Sequence, residues 1–276
     1  MIDIGRTHQL PVAKIVDFGV YLDAEELGTI LLPRADVPDD CEVGTVIEAF
    51  IYRDSKDKLI ATTQTPKVQV GECALLDVKD VNDYGAFLDW GLVKDLLVPY
   101  GEQQRPMEQG KAYVVFVYLD EYDDRIVATS RLSRHLQESA NYYKPKQKVD
   151  LMICGKSDMG YKAIINNTHL GLIFKDDAFK PLKYGQKVQG YIKAIRDDRK
   201  IDLSLQLPSG DGRDDLSEQI LQHLRDNKGI SQLTDKSPPD AIYRQFNVSK
   251  KNYKKALGSL YKQKQILIQP DKITLV

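Results

Sequence analysis

A glycine recurs in this chain at set intervals, and those intervals limit the fold more than any single motif does. It stands within "IVDFGVYLDA" (residues 15–24), "VNDYGAFLDW" (81–90) and "KSDMGYKAII" (156–165). Gly19, Gly85 and Gly160 lie 66 and then 75 residues apart, and Gly44, Gly110 and Gly185 keep the same two intervals. Thr62, Thr129 and Ser204, which end "LIAT", "IVAT" and "IDLS", are 67 and 75 apart. The chain therefore holds three copies of one unit with nearly constant internal length. The extra residues of the longer interval belong to the connection between the second and third copies.

Each copy reads as five strands. In the second they are expected at 72–82, 84–89, 94–99, 111–119 and 126–130, rich in Val, Leu, Tyr and Phe with frequent alternation. Five strands in so short a unit, the first long and bent, suit a small closed Greek-key barrel of the OB type. Alternation sends Val20, Leu22, Ala86 and Leu88 inward, and Tyr21, Asp23, Phe87 and Asp89 outward. A glycine inside a strand marks a bulge or a close approach by another chain segment. A bulge or a positive backbone angle at Gly85 would bring Tyr84 and Phe87, three residues apart, toward one surface.

The repeats occupy residues 1–69, 70–136 and 147–208. The connection "RLSRHLQESANYYKPKQK" (131–148) spaces Leu132, Leu136 and Ala140 by four, which predicts a short helix ended before Pro145. "QLPSGDGRDD" (206–215) has the composition of a hinge. Beyond it the apolar period changes from two to about 3.6. Leu216, Ile220, Leu221 and Leu224 mark one helix; "SPPDAIYRQF" opens a second with a serine cap; Ser249 enters a third. That third helix is expected to bury Tyr253, Ala256, Leu257, Leu260 and Tyr261, and "ILIQPDKITLV" reads as a hairpin. Three helices and a hairpin over 213–276 predict a winged helix-turn-helix. The fold class is mainly β: three tandem five-stranded OB-type barrels and a C-terminal α+β winged helix.

Charge and composition narrow the function. The chain's net charge is −1, yet residues 1–69 and 70–140 carry −5 and −6, and residues 141–214 and 215–276 carry +5 each. A basic half points to an anionic partner, unless the two halves simply attract each other. Three widely spaced cysteines and four scattered histidines offer no disulfide framework or ligand spacing, so no metal or cofactor is expected and a reducing, cytoplasmic setting is. The N-terminus lacks a secretory pattern and no apolar run reaches membrane length. Clustered acids for metal-assisted hydrolysis, a nucleophile with its base and a phosphate-cradling loop are also missing from the pattern, so no enzyme is expected.

"DYGAFLDW", then "DLLVP" and "RIVATSRL", resembles the S1 domain of the OB group. Three such repeats before a winged helix, with "LTDKSPPDAIYRQFNVSKKNYKKALGSLYKQKQI" (233–266), are similar in order to the conserved virulence factor B family of bacterial RNA-binding regulators. That resemblance implies cytoplasmic RNA binding, effects on gene expression and no catalysis. It assigns Tyr84 and Phe87 to an RNA face, with Phe18 and Tyr21 as their first-copy counterparts and a secondary contact. The third copy departs, with Met159 and Lys162 in those places and Phe174 where the others have Pro33 and Pro99.

The residues give a parallel reading. Single-stranded RNA is held by stacking bases on rings while cations track phosphates, and phosphate neutralisation dominates non-specific affinity. The candidate cations are Lys156, Lys162, Lys193, Arg196, Arg199 and Lys200 in the third repeat, and Lys250, Lys251, Lys254 and Lys255 on the third helix. A single-stranded RNA partner is the first expectation. Duplex DNA read by residues 249–264 is the second, although lysines contact phosphates rather than base edges. The acidic repeats leave room for a ribosomal or other protein partner.

Overall fold

The computed structural model describes residues 2–175, 177, 178, 181–206, 212–246 and 248–276. It divides into two compact units, Met1–His135 and Leu136–Val276.

The first unit holds two closed barrels. One is built from β1 (Thr7–Val16), β2 (Gly19–Asp23), β3 (Thr29–Pro33), β4 (Val46–Arg53) and β5 (Leu59–Thr62). The other uses β6 (Cys73–Asn82), β7 (Gly85–Leu88), β8 (Leu96–Pro99), β9 (Ala112–Leu119) and β10 (Ile126–Thr129). Both close in the order first-second-third-fifth-fourth, with the third and fifth strands parallel and the other pairings antiparallel. Alternation decides their interiors: Val20, Leu22, Ala86 and Leu88 are buried while Tyr21 and Phe87 are not. The two barrels share a seam. Phe50 of β4 packs edge-on against Trp90 with ring centroids 5.6 Å apart, inside the second barrel's apolar cluster. At the seam's edge the Lys94 ammonium donates to the carbonyls of Arg53 and Asp54 at 3.1 and 2.8 Å, and Arg125 pairs with Asp57.

The second unit begins with a third barrel of the same order: β11 (Lys148–Lys156), β12 (Gly160–Ile165), β13 (His169–Phe174), β14 (Lys187–Ile195) and β15 (Ile201–Ser204). The connection before it is not the expected helix. Leu132–Arg134 makes one 3-10 turn, after which Gln137 bridges His169 and Ser139 bridges Lys200. The backbone there is hydrogen-bonded along the barrel, and Ala140 and Tyr143 pack into the barrel's core. Four-residue spacing marked residues that face the barrel without a helix to carry them. Of the hinge expected at 206–215, residues 207–211 lie outside the described residues and 212–215 begin the first helix of the next domain.

The winged helix follows: α1 (Gly212–Asp226), β16 (Ile230–Ser231), α2 (Pro239–Phe246), α3 (Lys250–Lys262), β17 (Ile266–Ile268) and β18 (Ile273–Leu275). The expected hairpin forms and gains β16, giving a sheet in the order β16-β18-β17. Leu216, Ile220, Leu221, Leu224, Tyr253, Ala256, Leu257 and Leu260 form its core, whereas Tyr261 is exposed rather than buried. Ser249 caps α3 as expected, accepting from the Asn252 amide at 3.2 Å. Ser237 does not cap α2: its hydroxyl accepts from the Thr234 amide and donates to the Gln232 carbonyl.

Candidate nucleic-acid interface

The repeated glycine acts through a close neighbour. Gly19, Gly85 and Gly160 each open the second strand of a barrel, facing Pro33, Pro99 and Phe174 on the third. A Cβ added there would lie 2.2, 2.3 and 2.0 Å from the carbonyl oxygens of Leu32, Val98 and Ile173. Of the two devices expected at the glycine, the positive backbone angle is present, with φ of +153°, +148° and +157° at Gly19, Gly85 and Gly160, whereas the bulge lies in the first strand of each barrel, between Val12 and Lys14, Val78 and Asp80, and Ile153 and Gly155. Tyr84 therefore sits in the turn before β7, where it is free of strand parity, and Phe87 stands outward on β7. Glycine lets the second and third strands close up, and the turn beside it lifts a ring clear of the sheet.

The three ring sets differ. Phe18 and Tyr21 are 6.4 Å apart between centroids and nearly perpendicular, and Lys14 and Arg34, both exposed, are their neighbours across the strands. Lys14 is the cross-strand neighbour of Tyr21, and the Arg34 amide donates to the Phe18 carbonyl at 2.9 Å. Neither cation was singled out from sequence, because both lie in a segment whose count is acidic. Tyr84 is exposed and Phe87 half-buried, in a barrel whose lysines and arginines are mostly bound to its own carboxylates.

In the third barrel the expected cations separate into groups. Lys162, Arg196 and Lys200 line an open cleft of about 250 Å³ together with one carboxylate, Glu138, and its apolar wall is formed by Met159, Leu170 and Leu172. Arg196 also lies 5.3 Å from the centroid of Phe174, and Asp202 accepts from its guanidinium at 2.7 Å, which raises its pKa further. Lys193 sits 5.6 Å from the same ring and pairs with Asp177 at 2.6 Å, so most of its charge is compensated. Lys156 lies over Tyr161, and Arg199 occupies a left-handed turn position at the hairpin tip. Phe174 is thus a platform for two cations in addition to any base. Leu170 and Leu172 were missed because, as alternating apolar strand residues, they carry no mark separating a cleft wall from a core.

On α3, Lys251, Lys255, Gly258 and Lys262 fall at successive turns of one face, and a Cβ at Gly258 would meet nothing within 4 Å. Lys251 and Lys255 are exposed. Lys250 donates to the Lys236 carbonyl at 3.2 Å, and Lys254 is 4.0 Å from Asp235, so these two are partly engaged. The Gln206 side-chain oxygen, just beyond β15, accepts from the Ser249 amide at 3.2 Å and from Asn252 Nδ2 at 2.6 Å. The end of the third barrel is thereby tied to the first turn of α3.

No group of His, Cys, Asp or Glu among the described residues could hold a metal ion. The three cysteines form no disulfide, and burial pushes the Cys154 thiol up to about 11, which keeps it protonated and unreactive at neutral pH. No helix among the described residues is long and apolar enough to cross a membrane.

Comparison with known proteins agrees with this architecture. Residues 4–64 and 70–131 match the family described as S1 domain, and residues 218–275 match the CvfB-like winged helix domain. Both are nucleic-acid-binding domain families. The uncharacterized protein YitL of Bacillus subtilis is 29% identical over 95% of this chain and 90% of its own. Conserved virulence factor B of Staphylococcus aureus is 27% identical over 99% of this chain and 94% of its own. A solved structure described as a multidomain protein with nucleic acid binding domains, from Streptococcus pneumoniae, is 24% identical over 99% of this chain and 98% of its own, with a TM-score of 0.42. The chain thus carries tandem S1 domains and a CvfB-like winged helix domain, and is similar over nearly its whole length to the conserved virulence factor B proteins.

Proposed function

We propose that the chain binds single-stranded RNA through the third barrel and the lysine face of α3, acting in the cytoplasm as a non-catalytic, post-transcriptional regulator of gene expression. The observation that carries this reading is the cleft with an apolar wall, lined by three cations, Lys162, Arg196 and Lys200, against one carboxylate, Glu138. An unstacked base needs an apolar wall with cations nearby for its phosphate, and a base inside a duplex cannot enter such a cleft. Gln206 holds the first turn of α3 to the end of this barrel, so Lys251 and Lys255 would extend one phosphate track. Phe18 and Tyr21, with Lys14 and Arg34, supply a second contact of the same chemistry. Tyr84 and Phe87 stand among carboxylates and do not belong to this track.

The test is affinity for a labelled single-stranded RNA against duplex DNA over a series of salt concentrations. The logarithm of RNA affinity should fall with the logarithm of salt by about 0.7 per phosphate neutralised. Replacing Lys162 and Lys200 by Ala should lower that slope by about 1.4. A preference for duplex at every salt concentration would instead favour α3 as a major-groove reader. Unchanged RNA affinity in the double variant would reject the cleft.

A further inference from the structure

The three barrels share one backbone frame, so side chains at matching places can be compared directly. Across from the outward residue of the second strand stand Lys14 in the first barrel, Asp80 in the second and Gly155 in the third, opposite Tyr21, Phe87 and Lys162. Directly after the residue that faces the glycine come Arg34, Tyr100 and Lys175. Between the first and second barrels, both cations beside the ring pair are therefore exchanged, one for a carboxylate and the other for a third ring.

The surroundings of that third ring follow the same sense. Tyr84 is 76% exposed and Tyr100 51% exposed. The Tyr100 hydroxyl donates to the Asn82 carbonyl at 2.7 Å, holding this ring against the turn that carries Asp83 and Tyr84. Asp80 and Asp83 are exposed and form no ion pair among the described residues. The barrel's cations, by contrast, are occupied. Lys79 pairs with Asp95 at 2.8 Å and Asp89 at 3.5 Å, Lys111 with Glu108 at 2.7 Å, Arg134 with Glu102 at 2.6 Å, and Arg125 with Asp57. Lys94 is bound to the carbonyls of the seam, Arg105 lies over Tyr113, and the Arg131 Nε is buried. A phosphate chain crossing these rings would meet unpaired carboxylates and little positive charge to offset them.

We propose that this face of the second barrel binds a lysine- or arginine-rich segment of a partner protein. Cationic side chains lie over the faces of Tyr84, Phe87 and Tyr100, and Asp80 and Asp83 pair with the cations on either side. Rings attract a cation through their negative faces, more strongly for arginine, which also stacks. The same frame thus takes an anionic ligand in one barrel and a cationic one in the next.

The test measures a fluorescein-labelled peptide of alternating Arg and Gly, and the same peptide with citrulline for Arg, binding to the full chain at near-physiological salt. The arginine peptide should bind and the citrulline peptide should not. Y84A/F87A should weaken binding at least about fivefold, and D80N/D83N should weaken it too. D39N/D40N, which removes exposed acids elsewhere, should leave it unchanged. Because Phe87 is half-buried, Tyr84→Ala alone serves as the second variant if the pair does not fold. Peptide binding indifferent to both ring variants would mean diffuse charge attraction and would overturn the proposal. So would loss of single-stranded RNA affinity in Tyr84→Ala, which would return the face to RNA. Self-association abolished by Tyr84→Ala, seen by sedimentation without peptide, would overturn it in favour of a second copy as occupant.

Discussion

Gly160 shows how one residue sets a local frame. A methyl group there would press on the Ile173 carbonyl at 2.0 Å, and backbone at such a distance has no rotamer through which to yield. Gly160→Ala should destabilise the protein by about 2–4 kcal/mol in denaturant unfolding, combining overpacking with backbone strain. Gly110 is the control: its φ of +77° is also positive, but an added Cβ would meet nothing within 4 Å. Gly110→Ala should cost about 1–2 kcal/mol, the penalty of the positive φ alone. Equal costs would mean that dihedral angle, rather than the adjoining strand, selects glycine at these positions. The spacing of the glycines was legible in the sequence because it recurs. Their reason was not, since the clashing carbonyls belong to residues 13 positions further on, across a turn whose geometry only the folded chain defines.

At the scale of elements, α1 carries a pH-sensitive joint. His223 Nδ1 accepts from Gln245 Nε2 of α2 at 3.1 Å, and Nε2 faces the Ser231 hydroxyl of β16 at 3.1 Å. Burial lowers the pKa of His223, with Asp226 opposing it, so the folded domain favours the neutral ring. A protonated Nδ1 could no longer accept from Gln245. Stability from this group is complete above the ordinary histidine value of about 6.5 and declines as pH falls through it toward the lower folded value. Thermal unfolding near pH 7.5 and near pH 5.5 should show a loss on acidification, and His223→Gln should make that loss smaller. A loss of equal size in the variant would assign it to His135 and His169, whose pKa values burial also lowers. Helices and strands were readable here because their periods repeat over many residues. The connection at 136–147 was misread because four-residue spacing is also compatible with an extended segment bridged to a barrel edge.

For the whole molecule, net charge was a partial guide. It pointed to the basic half, where Lys162, Lys200, Lys251 and Lys255 stand exposed. It hid Lys14 and Arg34, which sit beside rings in a segment of net charge −5. A sum over residues does not register which charges are already paired, and the second barrel is where that difference is largest. The same barrel also shows how the first unit is held together. Trp90, the chain's one tryptophan, packs on Phe50 across the seam and donates to the Lys94 carbonyl at 2.5 Å. Lys94→Met should remove two charge-assisted bonds across the seam and lower stability by about 1–3 kcal/mol. Tryptophan emission should shift to longer wavelength at lower denaturant than in the parent chain. An unshifted transition would mean that the apolar seam alone joins the barrels.

The shared barrel frame separates two kinds of inheritance. What keeps each barrel closed lies in a glycine, a first-strand bulge and an alternating interior, all out of reach of a ligand. What selects the ligand lies in a few outward side chains that bear little on closure, as Lys14, Asp80 and Gly155 at one matching position illustrate. Duplicated barrels of this design can exchange the sign of their preferred ligand through surface substitutions that leave folding intact. Related chains should therefore agree on the glycines while diverging in what each barrel holds.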